Sequence, residues 1–227
     1  MANTFGDSYG LTCLCPIQNG QCEANDDNSF DLASYDKITR RRLQTLPQNE
    51  QSPFAKIPNT YFARLFILND VFFEQGNDVK RDHLKSKYLV FTSNFHGELE
   101  TYLEGMWHNA ESEIRNIWQY AVGFERVNNA ASFIDYIKKC QLKTTLFFNG
   151  SNDKSLKQQL KSLYVKQAFS EFVLLNQGKN AATLKAEFKA FLEQIQLNNL
   201  DSPSWRPGQT RLTEASYSIP TTTPENS

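Results

Sequence analysis

The chain lacks the motifs by which most nucleotide-handling and hydrolytic enzymes can be read from sequence. No GxGxxG follows a strand-like run, and GxxxxGK[ST], HExxH and GxSxG are all missing. Glycine is sparse, ten residues in 227 and scattered, so no glycine-rich loop brings successive backbone amides up to a phosphate. These absences remove the ordinary Rossmann, P-loop, zinc-protease and α/β-hydrolase readings. No apolar run approaches the roughly 20 residues that span a bilayer. The start, Met1-Ala-Asn-Thr-Phe-Gly6, has no basic stretch followed by an apolar one, and Ala2 breaks the myristoylation motif. Neither charge sign dominates, with 24 basic and 25 acidic residues and a net charge of -1, whereas a dedicated nucleic-acid binder carries a basic excess. The expectation is a soluble, cytoplasmic protein with no transmembrane segment and no nucleic-acid partner.

Metal-ligating residues are few. Cys13, Cys15 and Cys22 lie close together and Cys140 stands alone. The first three lack CxxC spacing, and no histidine follows within the next 50 residues to complete a tetrahedral set. The reading is a cysteine-bearing flexible leader whose thiols stay reduced, rather than a soft-metal or redox site. Of the three histidines, His83 lies in a charged loop. His108 and Glu111 are spaced i, i+3 but have no evident third ligand, so no metal is expected.

Composition divides the chain into three. Residues 1–52 are rich in Gly, Asn, Asp, Ser and Gln, with the basic triple Arg40-Arg41-Arg42, and read as a flexible polar leader. Residues 200–227, with four prolines and Thr221-Thr-Thr223, read as a flexible Pro/Thr-rich tail. The folded domain is placed at 53–199.

Within that window Phe62–Leu68 and Lys87–Thr92 read as strands joined by a polar loop, and Lys143–Phe148 as a third. Leu99, Tyr102, Leu103, Met106 and Trp107 form a helical stripe that Ile114, Ile117 and Trp118 continue after a break near Asn109. Phe133, Ile137 and Cys140 mark a shorter helix. Leu156, Leu160, Leu163, Tyr164, Ala168, Phe172 and Leu175 mark a long one, and Leu184, Phe188, Phe191, Leu192 and Ile195 the last. The fold class is α+β, a small, mainly antiparallel sheet covered by amphipathic helices.

The stretch Ser93-Asn-Phe-His-Gly97 stands where strand passes to helix. His96, Asn94 and Ser93, with Arg64 from the first strand, form the candidate ligand-binding set, suited to a carboxylate or, through the imidazole, to a haem iron. A plain structural reading competes. Ser93 or Asn94 caps the helix, Gly97 gives backbone freedom, and Glu98 and Glu100 answer the helix dipole.

The runs SPFAKIPNTYFARLFILND, YLVFTSNFHGELETYLEGMW and IRNIWQYAVGFE, over about residues 52–150, resemble an uncharacterised bacterial domain family. The residues that carry the likeness are Phe62-Ala63-Arg64, Ser93-Asn94-Phe95-His96-Gly97 and Tyr102-Leu103. His96 stands where that family's turn carries aspartate. The resemblance implies a ferredoxin-like fold of the dimeric α/β-barrel group, which also holds haem peroxidases of the dye-decolourising type, so haem enters as a cofactor by analogy of fold.

Aromatic residues are 13% of the chain, with 17 phenylalanines, enough for a core and also for an interface or apolar pocket. The leading expectation is a binding or assembly module without a catalytic centre, with self-association as a homo-oligomer. The alternatives are a haem- or small-molecule-dependent redox enzyme and a protein that binds a lipid or other apolar small molecule.

Overall fold

The structure, a computed structural model, describes residues 3–23, 32–70, 83–151 and 153–209. The chain divides into two compact units, Met1–Leu156 and Lys157–Ser227, in place of the single domain expected over 53–199.

The first unit is α+β. Its strands are β1 (Thr4–Phe5), β2 (Ser8–Pro16), β3 (Gln21–Glu23), β4 (Leu32–Ser34), β5 (Thr60–Leu68) and β6 (Tyr88–His96). Its helices are α1 (Tyr35–Thr45), α2 (Leu99–Trp118) and α3 (Ala130–Cys140). The main sheet has the order β1-β2-β6-β5 and every pairing in it is antiparallel; β3 and β4 form a separate ribbon. Successive strand residues face opposite sides. Leu11, Cys13 and Cys15 of β2 and Leu89, Phe91 and Phe95 of β6 therefore share one buried face. That face packs against Leu103, Met106 and Trp118 of α2 and Phe133 and Ile137 of α3. Phe91 and Phe133 both set their rings edge-on to Trp118, at 5.4 and 6.1 Å. Each such aromatic pair adds roughly 0.5–1.5 kcal/mol beyond area burial.

Three expectations change. The leader expected over 1–52 contributes an interior strand, because β2 pairs with β1 on one side and along its whole length with β6 on the other. Its composition looks polar because only one face is buried and two of the inward residues are cysteines, which behave in cores as small apolar groups. The third strand expected at Lys143–Phe148 is not a strand. Gln141 makes one bridge to Cys13 and Leu142 N–H donates to Thr12 O at 2.8 Å, and the chain then leaves the ladder. The Phe147 ring presses on Gly10, where a Cβ would meet it at 2.7 Å, and Phe148 packs edge-on against Phe5. The second strand also runs four residues further than expected. Ser93–His96 remain in the ladder, Ser93 opposite Leu11 and Asn94 opposite Gly10. The turn itself is Gly97-Glu98, with Gly97 at φ +100, a conformation that suits glycine. Neither Ser93 nor Asn94 caps α2, whose N-cap is Glu98 with no side-chain cap.

The break in the α2 stripe appears at Ala110 (φ -147, ψ 33), next to the expected Asn109. Asn109 Nδ2 donates to Gly105 O, at 2.7 Å, the kind of side-chain competition that bends helices. Most of the polar loop between β5 and β6, and the tail after Gln209, lie outside the described residues.

The second unit holds α4 (Leu156–Leu175) and α5 (Ala181–Ile195). They run antiparallel: Phe172 meets Phe188 at 5.8 Å between ring centres, whereas Lys161 near the start of α4 reaches Ile195 at the end of α5. The buried cluster is Tyr164, Ala168, Phe191 and Ile195, with Val165, Phe172 and Trp205 packed on it. The expected α4 stripe is only partly buried, since Leu163 and Leu175 are exposed.

Candidate functional site

The structure separates the sequence-predicted set. Ser93 is fully buried on the helix side of β6, where its hydroxyl meets Tyr102 Oη at 2.8 Å and donates to Phe62 O at 3.3 Å. Tyr102 Oη is also 3.3 Å from Thr60 Oγ1. Burial raises the Tyr102 pKa, against the Ser93 and Thr60 hydrogen bonds. Asn94 and His96 point to the opposite face. Arg64 faces that side too but pairs across from Thr92, four residues short of His96, which is about 13 Å along the strand. Its guanidinium lies over the Phe66 ring, 5.9 Å from the centre. Sequence adjacency therefore grouped residues that strand alternation divides and strand rise spreads out.

His96 does join a cluster, with other partners. Its Nδ1 lies 3.0 Å from Tyr61 Oη, and that hydroxyl donates to Lys154 O at 2.9 Å. The phenol has one proton and spends it on the carbonyl, so neutral His96 carries its hydrogen on Nδ1 and leaves Nε2 as an acceptor. Ser8, opposite His96 in the ladder, accepts from Asn149 Nδ2 at 2.7 Å. The Asp153 carboxylate takes the Asp7 backbone N–H between its two oxygens, at 2.9 and 3.0 Å. Burial raises the Tyr61 pKa, a hydrogen bond with Ser8 opposes the rise, and the Asp153 and Asp7 charges add to it.

This corner presents an imidazole acceptor beside two carboxylates, so it suits a neutral or cationic hydrogen-bond donor and disfavours an anion. It does not fit a haem. Among the described residues the imidazole meets the Tyr61 hydroxyl, and the neighbouring sheet surface at Gly10 is filled by the Phe147 ring, so these residues leave no apolar slot against it for a porphyrin. Tyr61, Ser8, Asn149 and Asp153 carried no sequence signal. They come from three separate segments and meet His96 only through the β2–β6–β5 register and the loop after α3.

A second concavity of about 370 Å³ is lined by Ile17, Gln18, Asn19, Gly20, Gln21, Ser34, Asp36 and Lys87. Asp36 is buried and pairs with Lys87 at 2.8 Å. Burial pushes its carboxyl up, but the hydrogen bonds from Lys87 and Ser34 outweigh this and lower its pKa overall. Among the described residues no group of three or more His, Cys, Asp and Glu side chains is placed to hold a metal ion.

Comparison with protein-family models, curated proteins and solved structures gives no match for this chain.

Proposed function

We propose that the chain is a non-catalytic assembly module that pairs with a second copy of itself through the α4–α5 hairpin. The observation that carries this reading is the distribution of apolar side chains on α4. Tyr164, Ala168 and Phe172 face α5, while Leu163 and Leu174, three turns apart on a different side, are 54% and 68% exposed. Phe169 and Val173 expose a third side. Apolar side chains on several sides of one helix are normally enclosed by neighbours, and on α4, whose exposed ones gather mostly in its C-terminal half, α5 covers one side only. A second hairpin related by a twofold axis offers the same stripes in return and completes a four-helix bundle. Charge balances along α5, with Lys185, Glu187, Lys189 and Glu193, while on α4 Lys157, Lys161 and Lys166 outnumber Glu171.

Two further readings fit this proposal. The succession β2, α1, β5, β6, α2, with β6 lying between β2 and β5, supports assigning the first unit to the ferredoxin-like group that the sequence resembles. All four cysteines are free, which supports a reducing, cytoplasmic setting. No helix among the described residues is long and apolar enough to cross a membrane.

Light scattering across a concentration range tests the assembly reading. The full chain is expected at twice its 26.1 kDa mass. Leu163→Glu with Leu174→Glu should return it to a monomer with unchanged helix content. A monomer at every concentration overturns the proposal, and native mass spectrometry of the same sample reports any apolar small molecule occupying the hairpin instead.

A further inference from the structure

Three of the four thiols converge where the end of α3 meets β2. Cys15 is fully buried, and its sulfur accepts the indole N–H of Trp118 at 3.4 Å. Cys140, the last residue of α3, is half-buried and packs against the core cluster that contains Cys15, and the two thiols perturb one another's ionisation. Tyr136, one turn earlier on α3, is 8% exposed, and its hydroxyl is buried without a hydrogen-bond partner at ordinary distance. What it faces are the sulfurs of Cys15 and Cys140. Cys13 is set apart, its S–H donating to Ile137 O at 3.9 Å. The Gln141 bridge and the Leu142–Thr12 hydrogen bond pin this end of α3 to the strand.

A buried hydroxyl without a partner is costly, and packing alone would be served as well by phenylalanine. Oriented at a thiol pair, the hydroxyl has a use. It donates to whichever sulfur carries negative charge, or to an oxygen leaving that sulfur.

We propose that Cys140 is an oxidation site for a hydroperoxide and that Cys15 is its resolving thiol, so that the pair closes a reversible disulfide. In the first step the Cys140 thiolate attacks the terminal peroxide oxygen. An S–O bond forms, the O–O bond breaks, and sulfur loses the two electrons that reduce the peroxide to an alcohol or water. The leaving oxygen takes up a proton, and Cys140 becomes a sulfenic acid. In the second step Cys15 sulfur attacks Cys140 sulfur. The S–S bond forms, the S–O bond breaks, and hydroxide leaves as water with the Cys15 proton. The sum is two thiols and one hydroperoxide giving one disulfide, one alcohol and one water. A cellular thiol restores the pair by exchange.

The division of roles follows from exposure. Cys140 is the thiol that solvent reaches, and Cys15 is sealed behind it. The Cys140 thiol is lowered to about 7, first by the neighbouring Cys15 thiol and then by the Tyr136 hydroxyl, against the effect of burial. The C-terminal end of α3 works against a thiolate, so both donors are needed there. Cys22, half-buried beside Tyr120 Oη at 3.4 Å, serves as an internal comparison.

The test is peptide mass mapping of the full-length protein titrated with hydrogen peroxide. The wild-type chain should lose two hydrogens and yield a Cys15–Cys140 cross-link before Cys22 oxidises. Cys15→Ala should leave Cys140 as a sulfenic acid trapped by a 1,3-dione, and Cys15→Ser replaces it if the alanine variant does not fold. Tyr136→Phe should keep the urea midpoint yet slow Cys140 oxidation several-fold. The proposal is overturned if Cys22 oxidises while Cys140 stays reduced, or if wild-type Cys140 passes to sulfinic acid without cross-linking. An unchanged oxidation rate in Tyr136→Phe overturns the role given to the hydroxyl.

Discussion

The two units solve the same problem with unequal means. Among the described residues the first buries twenty-four apolar residues in one cluster between a sheet and its helices, whereas the buried cluster of the second has four. A sheet with a helical layer encloses a core, but two helices alone leave most of their surface outside. The hairpin even buries a lysine: Lys161, 4% exposed, donates to Ile195 O and Pro203 O at 2.6 and 2.8 Å and lies near the Tyr164 ring. The difference teaches where stability resides and where a partner is missing.

The strongest way to break this comparison is to hollow out each core in turn. Trp118→Ala, in the centre of the first unit, should cost about 3–5 kcal/mol, the usual range for a fully buried large aromatic. Phe191→Ala in the hairpin should cost less, about 1–3 kcal/mol, because its surroundings are already open and can collapse. Urea titration with hydrogen-exchange readout of each unit measures both. Equal losses would show that the hairpin has a core of full strength and would remove the reason for a partner.

Raising the pH should pull the units apart more gently. In the first unit Cys140, lowered to about 7 from 9.0, stabilises the fold at and above 9.0, and this contribution is lost as pH falls through 7. Cys13, raised by burial, and Cys15, raised by its bond to Cys140 and then by burial, act the other way. Their contribution is whole below 9.0 and is lost as pH rises beyond it, because only the unfolded chain ionises freely. The first unit should therefore gain stability from pH 7 towards 9.0 and lose it above. In the hairpin, burial lowers Lys161, so its penalty shrinks as pH climbs, until Tyr164, raised by burial, turns the trend above 10.0. Urea midpoints should turn over near pH 9.0 for the first unit and only above 10.0 for the hairpin, and Cys140→Ser should flatten the first unit's rise. A first-unit midpoint that does not change across the range would show that the thiols titrate as they do in the unfolded chain.

Much of this contrast was legible in the sequence, and unevenly so. The α2 stripe and its break could be read because one helix face repeats every 3.6 residues for five turns, and Asn109 marks the place. Strands β5 and β6 were visible as apolar runs. The interior strand β2 was missed because Cys13 and Cys15 supply its inward face within an otherwise polar segment. Helix α4 misled in the opposite sense, as its leucines give a stripe at any chosen angle. The corner around His96 was half-visible. The histidine stood out, but Tyr61, Ser8, Asn149 and Asp153 are brought to it by register and loop path, which no local pattern encodes.

The smallest expected difference uses one residue type in both units. Asn129 caps α3 by accepting from Ser132 N–H at 2.9 Å while Ser132 Oγ accepts from Asn129 N–H at 3.1 Å, a reciprocal capping box. Asn180 caps α5 by accepting from Thr183 N–H at 3.0 Å, with no reciprocal bond in its capping geometry. Alanine at either site strands a helix N–H, which typically costs about 1 kcal/mol. At Asn129 the loss also weakens the hold on Ser132 and thus on the start of a helix whose Phe133 and Ile137 lie fully in the core. At Asn180 the freed N–H is open to water, and the first turn of α5 has no buried side chain to lose. Asn129→Ala should therefore lower the unfolding free energy of the first unit by about 1 kcal/mol, seen as a lower urea midpoint. Asn180→Ala should leave the midpoint of the first unit in place and raise only the exchange rate of the α5 amides. If both caps moved the same global transition equally, the hairpin would be folding as part of the larger core, and the contrast between the two units would be one of surface rather than of stability.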